Sequence, residues 1–521
     1  MEKDEHIQKL RDIFKRNRDK TFIIDSLNGK EYTYADIESL SLVYATYLEN
    51  VLGIRKGDKI AISLPNCIEF TILYFACMQA GAIAVPINPK LHEQEIRYIL
   101  DNSEANVAYT TNAIEKALKE PPGLADNIRI ISFTPLHERK DAEKDAFNPL
   151  EEAARKRDIA RRSFDRAADE DTIAVIYTSG TTKRPKGVMI AYKNLIENGL
   201  LFSRTVGAGP HSRFYNILPL AYLGGFYNLT MIPLLSEGSS VLEEAFCPKV
   251  ALQFWERVRS FEVNTLWLVP TIISILLSID RSDAKDKFNK DIKLALVGTA
   301  PLPEALKKRF EERYGITLYE NYALSETFFI STNSPYIPEN KGVGRILPAC
   351  TVSMVDESGK TLGTGEMGEI VVKTPYMMKG YYKNDEETRA TIRNGSLYTG
   401  DVGYIDSSGY LFITDRKKDM IIRGGINISP KEIEDIICTS PLVNEVAVVG
   451  IPNEDSGEEV VAVVKAHPGL TQADIRNICK ANLASFKIPE RVIFTEDFPR
   501  GVTGKIQKNR LREMIAQGKL K

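Results

Sequence analysis

The stretch YTSGTTKRPKG, at positions 177–187, combines hydroxyl side chains, glycines and cations directly after the apolar run TIAVIYT. A strand leading into such a turn presents backbone N–H groups and hydroxyl donors to one small volume, which is how a loop binds a polyphosphate. The spacing matches neither a Walker loop nor a GxGxxG fingerprint. Taken alone, a flexible surface loop is the alternative interpretation. The phosphate-binding residues predicted here are Thr178, Ser179, Gly180, Thr181, Thr182 and Lys186.

The elements around this stretch predict an α/β fold. Strand-like runs such as KIAISLP, AIAVPI and LALVG alternate with amphipathic helical patterns, which is typical of layered, largely parallel sheets. From about Cys350 the sequence pattern is typical of β hairpins separated by glycines, and after Asp415 it is typical of a short α+β region. We therefore expect a large N-terminal domain of layered sheets and helices with a β-rich subdomain, residues 1–415. A small α+β C-terminal domain, residues 416–521, should follow.

Composition narrows the function classes. The 521 residues are 43% hydrophobic and 26% charged with a net charge of −2, which is typical of a globular chain and argues against nucleic acid as the main partner. The six cysteines show no CxxC pair, and the five histidines show no zinc pattern. The N-terminus lacks a signal-peptide core. The most apolar run, FTILYFACMQAGAIAVPINP, is interrupted by Gln79, Gly81 and Pro86, so it predicts a buried helix that ends at Gly81 and a short core strand rather than a membrane span. We expect a cytoplasmic protein without a membrane span.

Further signatures follow in a fixed order along the chain. They are LVGTAPLPEAL, ENYALSET, LYTGD, DRKKDMIIRGGINISPKEIE and FPRGVTGKIQK. With YTSGTTKRPKG they resemble the signatures of the adenylate-forming superfamily, which includes acyl-CoA synthetases, luciferases and nonribosomal-peptide adenylation domains. The resemblance extends from about Thr33 to Lys508 and is closest to acyl-CoA synthetases, whose hinge segment is similar to RGGINISPKEIE.

The resemblance implies roles for residues that bind the nucleotide. Tyr322 would stack on adenine, next to the small residues Gly298, Thr299 and Ala300. Asp401 would hold the ribose hydroxyls, Arg416 would contact ribose or phosphate, and Ser325 would lie near the α-phosphate. A hard carboxylate suits a hard cation, so Glu326 would coordinate Mg²⁺.

The resemblance also implies how the small domain takes part. Lys505 corresponds to the family's catalytic lysine, and Lys418 to the hinge about which the small domain moves. Gly424 and Gly425 would leave room for a pantetheine arm. These assignments imply ATP, Mg²⁺ and coenzyme A as cofactors, or a carrier-protein phosphopantetheine in place of coenzyme A.

A short segment, LPLAYLGGFYNL, predicts part of the acid-binding pocket. Small and aromatic residues lining a pocket suit an apolar acyl chain or an aryl acid. A simple turn at the two glycines is the alternative. No Asp stands at Leu223 to bind an amino acid's ammonium group, so amino-acid substrates are not expected. The predicted lining residues are Tyr222, Gly224, Gly225, Phe226, Gly298, Ala323 and Phe328.

Two positions depart from the family pattern. Lys183 stands where a third glycine is usual, and Ala323 replaces another glycine. The leading hypothesis is an acyl-CoA synthetase that adenylates a fatty, aryl or alicyclic acid and transfers the acyl group to coenzyme A. The alternatives are a stand-alone enzyme that loads a carrier protein and a nucleotide-binding protein without turnover. We expect a monomer or a homodimer.

Overall fold

The computed structural model describes residues 4–119, 128–138, 163–178, 184–279, 291–453, 456–501 and 505–520. Four sheets carry the described strands. A π-helical segment spans Tyr227–Met231, and 3-10 turns span Leu136–Glu138 and Ser485–Lys487. The described α-helices are Glu5–Arg16, Tyr34–Asn50, Ile68–Ala80, Glu93–Ser103, Asn112–Lys119, Tyr192–Val206, Leu223–Phe226, Ile232–Leu235, Pro248–Ser260, Pro270–Ile279, Glu304–Tyr314, Asp385–Thr391, Pro430–Ile437, Gln472–Asn482 and Lys508–Ala516.

The two large sheets belong to the N-terminal part and are parallel at their centres. Within the described residues, one has the order Arg345–Ile346, Phe328–Thr332, Tyr319–Leu324, Leu294–Val297, Thr265–Leu268, Arg213–Asn216, Ser239–Leu242, Thr21–Asp25, Lys30–Thr33. The other has the order Gly380–Tyr381, Lys186–Ala191, Thr172–Thr178, Ile83–Pro86, Lys59–Ser63, Val107–Thr110, Arg129–Ser132. Antiparallel strands form the edges of both sheets nearest the predicted site.

Two smaller sheets follow. An antiparallel sheet contains Thr351–Val355, Gly368–Lys373, Ser396–Ile405 and Ile392–Arg393, with Leu411–Arg416 paired to Ser396–Ile405. The C-terminal sheet contains Ile426–Ile428, Ile421–Arg423, Gly457–Ala466 and Val443–Asn453, with Arg491–Phe494 paired to Gly457–Ala466. This architecture confirms the predicted α/β fold with a β-rich subdomain and a small α+β domain. The boundary at residue 415 and the mobility of the small domain stay predictions.

The most apolar run of the sequence folds as predicted, into a buried helix and a short core strand. Every residue of Ile68–Ala80 is buried, and the helix ends at Gly81, whose φ is 67°. A Cβ at Gly81 would lie 3.0 Å from the backbone oxygen of Arg166, so both the conformation and the close packing favour glycine there. No helix among the described residues is long and apolar enough to cross a membrane.

The strands of the small domain are apolar on both faces because helices cover both. Val448, Val460 and Val464 pack with residues of Pro430–Ile437 and Gln472–Asn482. Neighbouring residues of the same strands, such as Val449 and Val463, pack against Leu511 and Ile515 of the last described helix. The alternation of side chains along a strand therefore builds two cores from one pair of strands.

Candidate active site

The predicted phosphate loop closes a β hairpin. Thr178 and Lys186 are cross-strand partners at the ends of the antiparallel strands Thr172–Thr178 and Lys186–Ala191. Ser179, Gly180, Thr181, Thr182 and Lys183 lie outside the described residues. The strand that precedes the predicted loop is therefore as predicted, and a second strand begins at Lys186.

Lys186 is held at the base of this hairpin by residues that the sequence did not single out. Its side chain is only 9% exposed and forms an ion pair with Glu387 of the helix Asp385–Thr391. Its Nζ also lies 5.5 Å from the ring centroid of Tyr381. The hydroxyl of Tyr381 donates a hydrogen bond of 2.8 Å to Oε1 of Glu326, the predicted metal ligand. The contacts Glu387–Lys186–Tyr381–Glu326 thus connect the two predicted phosphate-binding segments.

We expect Glu387→Gln to raise the KM for ATP about five- to tenfold, because Lys186 loses the carboxylate that fixes its ammonium beside Tyr381. That range corresponds to ~1 kcal/mol, as for one partly buried charged contact. Steady-state kinetics with ATP varied would measure it. Glu386→Gln is the matched control, since Glu386 is exposed on the same helix. Equal KM values for the two variants would contradict this role of Glu387.

Asp401 is the centre of the predicted ribose site. It is buried, accepts a 2.6 Å hydrogen bond from the hydroxyl of Tyr322, and pairs with Nε of Arg416 at 2.9 Å. Asp401 and Arg416 are directly opposite in the hairpin formed by Ser396–Ile405 and Leu411–Arg416. Burial, together with the negative charge of Asp401, raises the pKa of Tyr322 well above its usual value. Each carboxylate oxygen has a protein donor and keeps a lone pair for a ligand hydroxyl.

The predicted adenine segment is shaped by close packing. A Cβ at Gly298 would lie 2.5 Å from Oδ1 of Asn321, whose Nδ2 donates to the backbone oxygen of Val297 at 2.8 Å. Glycine is therefore required at 298 by a neighbouring side chain. Thr299 is exposed with a φ of 71°, which is uncommon for a residue other than glycine, and Ala300 is half-buried. The backbone of this segment is presented to the site.

Ser325 and Glu326 lie in a hairpin turn. The turn connects Tyr319–Leu324 to Phe328–Thr332, and Ala323 on the first strand is exposed. Both turn residues are half-buried, so each keeps surface that a ligand can reach.

Lys505 of the small domain lies among charged residues that border the ribose site and the turn. Its pKa is lowered to about 8, first by burial and then by the nearby cations Arg416 and Lys418, while Asp401 and Glu326 oppose the shift. The residue as a whole is nevertheless exposed to solvent, so small molecules can reach it, and burial here means that protein atoms surround the ammonium group. Burial and Arg416 lower the pKa of Lys418 as well. The structure thus brings together Lys505, Lys418, Arg416, Asp401 and Glu326.

The lowered pKa of Lys505 predicts a pH dependence. The side chain loses its proton as the pH rises through about 8. Because kcat/KM reports the ionisation of the free enzyme, kcat/KM for ATP in adenylation should fall about tenfold per pH unit above that value. A Lys505→Arg variant, which stays charged, should lose this fall. An unchanged kcat/KM between pH 7.5 and 9.5 would contradict the assignment.

Gly424 and Gly425 form the turn between the strands Ile421–Arg423 and Ile426–Ile428. Their φ angles are 56° and 79°, as a two-residue hairpin turn requires, so the backbone alone accounts for both glycines. No heavy atom lies within 4 Å of a Cβ built at either position. The predicted role in admitting pantetheine stays a prediction.

The predicted acid-binding residues divide into open and close-packed ones. Tyr222 and Gly224 are half-buried. Gly225 is fixed by packing, since its Cβ would lie 2.2 Å from the backbone oxygen of Pro219. Phe226 and Phe328 are only 2% exposed. The hydroxyl of Tyr222 is buried without hydrogen-bond geometry to any group in the described part of the chain, and burial raises its pKa.

Comparison with known proteins identifies the family. Residues 10–382 match the family model described as AMP-binding enzyme, and residues 432–505 match the AMP-binding enzyme C-terminal domain. The chain belongs to the AMP-binding enzyme family. The predicted membership of the adenylate-forming superfamily, closest to acyl-CoA synthetases, is confirmed.

Several relatives of this AMP-binding enzyme cover nearly its whole length. Long-chain-fatty-acid–CoA ligase FadD13 of Mycobacterium tuberculosis (strain ATCC 25618 / H37Rv) is 33% identical over 498 residues, which is 93% of each chain. Sulfoacetate–CoA ligase of Cupriavidus necator is 32% identical over 506 residues, 95% of this chain and 94% of the relative. The crystal structure of ATP-bound MatB from Rhodopseudomonas palustris is 31% identical, covers 97% of this chain and 98% of that one, and gives a TM-score of 0.86.

Proposed function

We propose that this AMP-binding enzyme joins a carboxylic acid to coenzyme A, converting ATP to AMP and pyrophosphate through an acyl adenylate. The observation that carries the proposal is a charged site in which Asp401 pairs with Arg416 and Tyr381 orients Glu326. Lys505 of the small domain interacts electrostatically with these three charged residues. The names of the relatives, which are acid–CoA ligases, support the same reaction. The proposed acid is a fatty, aryl or alicyclic carboxylic acid.

The first step brings two anions together. A carboxylate oxygen attacks the α-phosphorus of ATP, the bond from that phosphorus to the bridging oxygen breaks, and pyrophosphate leaves. Catalysis of such a step is mainly positioning and charge neutralisation. In the proposal, the Lys505 ammonium binds the acid's carboxylate and an α-phosphate oxygen, Lys186 binds the outer phosphates, and Asp401 accepts from the ribose hydroxyls.

The residues present fit a Mg²⁺ ion bound jointly with the nucleotide. Among the described residues no group of three or more His, Cys, Asp and Glu side chains could hold a metal by itself. Mg²⁺ commonly takes only one or two protein carboxylates and completes its coordination with phosphates and water. Glu326 is half-buried, and one of its oxygens is oriented by Tyr381, so it is suited to be that carboxylate. When bound, Mg²⁺ would neutralise charge on the departing pyrophosphate.

The second step takes place at the carbonyl carbon of the acyl adenylate. The thiol sulfur of coenzyme A attacks the acyl carbon, the acyl–phosphate bond breaks, AMP leaves and the thiol proton passes to solvent. Lys505 occupies the cleft in the present arrangement, so we propose that the small domain rotates about Lys418 between the steps. The turn at Gly424 and Gly425 would then face the thiol.

Product analysis tests the reaction. The enzyme is incubated with ATP, Mg²⁺, coenzyme A and acids from acetate to palmitate plus benzoate, and nucleotides and thioesters are quantified by chromatography and mass spectrometry. We expect AMP, pyrophosphate and acyl-CoA in equal amounts for at least one acid. ADP and phosphate as products, or no AMP above background with any acid, would overturn the proposal. If the enzyme preferred a phosphopantetheinylated carrier protein to coenzyme A, the carrier protein would be the acyl acceptor, and the proposed adenylation step would stand unchanged.

A further inference from the structure

Two segments border the space available to the acid. In the proposed function the reacting carboxyl group lies beside Lys505 and Glu326, so the hairpin turn at 323–328, which carries Glu326, borders the acid, and the segment at 222–227 packs against this hairpin. These segments meet where the rings of Tyr227 and Phe328 pack at 4.8 Å with an interplanar angle of 57°. The accessible surface on the near side belongs to Tyr222, Gly224 and Ala323.

Aromatic rings close the space beyond this surface. Phe226 stacks on Tyr74 with ring centroids 3.5 Å apart, and Phe328 packs against Tyr227. Tyr227 is 1% exposed, and Phe226 and Phe328 are 2% exposed. A ring that faced an internal cavity large enough for water would have accessible surface in that cavity. These rings have almost no accessible surface, so they border no cavity of that size. An acyl chain that reaches them must displace them.

One buried amide fixes this wall. Oδ1 of Asn198 accepts from the hydroxyl of Tyr227 at 3.0 Å and from the backbone N–H of Phe329 at 3.2 Å. Its Nδ2 donates to the backbone oxygen of Phe329 at 3.0 Å. Asn198 is fully buried, so moving either segment would leave a buried polar group without its partners. The wall therefore resists opening for a longer chain.

The backbone of Phe328 gives a second, independent indication. Its φ is 58°, in the left-handed region, which a bulky residue rarely adopts and glycine adopts freely. Phe328 follows the predicted metal ligand Glu326 by two positions, so this strained residue belongs to the hairpin that borders the proposed acid site. A strained residue of this kind persists only where its surroundings hold it, and such residues are concentrated at ligand-binding and active sites.

We infer that Phe328 and Tyr227 form the end wall of the acid pocket and that the enzyme activates compact acids, short aliphatic or single-ring, in preference to long-chain ones. The inference rests on the proposed function and names its substrate class. The open surface binds the first few carbons of the acid, and the wall excludes the rest.

The wild-type enzyme tests the size limit directly. kcat/KM is measured by pyrophosphate release for straight-chain acids from acetate to dodecanoate, below their micellar concentrations, and for benzoate. We expect the highest kcat/KM for an acid between acetate and octanoate in length. The kcat/KM for dodecanoate should be lower than this maximum by a factor of about ten or more, because a longer chain would overpack the pocket. Dodecanoate equal to or better than octanoate would overturn the inference while supporting the proposed function. Inactivity with every acid would contradict the proposed function instead.

Variants of the wall test its residues. Phe328→Gly removes the ring and relieves the backbone, so the ratio of kcat/KM for dodecanoate to that for octanoate should rise about tenfold. Phe328→Leu keeps apolar bulk if the glycine variant unfolds, and should raise the ratio less. Asn394→Gly is the control, because Asn394 also has a left-handed φ, 51°, in an exposed turn, and it should leave the ratio unchanged. An unchanged ratio in a folded Phe328 variant would overturn the inference.

Discussion

Lys505→Ala is expected to slow acyl-adenylate formation by about 10²- to 10³-fold, the cost of removing one preorganised donor from a charge-building step. The ammonium group of Lys505 interacts electrostatically with Asp401, Arg416 and Glu326, the charged residues of the predicted nucleotide site. Single-turnover assays that follow labelled ATP into acyl-AMP measure the effect without the thiol step.

The control for this variant is Lys519→Ala, an exposed lysine near the end of the described chain. It should adenylate at the wild-type rate. Thioester formation from supplied acyl-AMP should be nearly normal in Lys505→Ala, because the thiol step does not use that ammonium group. Adenylation by Lys505→Ala within about threefold of wild type would contradict its proposed role, since a lost transition-state contact costs more than that.

Asp401→Ala is expected to raise the KM for ATP about 10- to 100-fold, as for losing hydrogen bonds to a charged group. It also leaves Arg416 and the hydroxyl of Tyr322 without their partner, so the melting temperature should fall. Tyr322→Phe keeps the ring and removes only the hydroxyl donor, and it should raise KM far less.

A change of nucleotide separates ribose binding from stability. The wild-type enzyme should prefer ATP over 2′-deoxy-ATP by about tenfold, because the site is built to bind a hydroxyl group. Asp401→Ala should lose most of this preference. A folded Asp401→Ala protein that still discriminates between the two nucleotides would show that Asp401 does not bind the ribose.

The sequence predicted those features that depend on local pattern. The apolar run at 70–89 predicted a buried helix, its end at Gly81 and a core strand, because burial and a left-handed helix end each leave a local signature. Strand-like runs separated by glycines predicted the hairpins around Asp401, because a tight turn also leaves a local signature. Ordered signatures predicted the family, and the structure brings Lys505 to Asp401 and Glu326 from the far end of the chain.

Contacts that form only in the folded chain were missed. Asn384 followed by acidic residues indicates a helix start, and its side chain does cap Asp385–Thr391. That pattern does not predict the ion pair between Glu387 and Lys186. The stacking of Phe226 on Tyr74 likewise joins residues far apart in sequence, so a residue predicted to line the pocket is packed in the core. Pairing across elements, not local propensity, decides such details.

In the proposed mechanism an acid and ATP react next to Lys505 before any thiol takes part. Acid-dependent exchange of labelled pyrophosphate into ATP, measured without coenzyme A, tests it most directly. We expect exchange that requires both a compact acid and Mg²⁺ and disappears in Lys505→Ala. Thioester formation by an enzyme that shows no such exchange would contradict it.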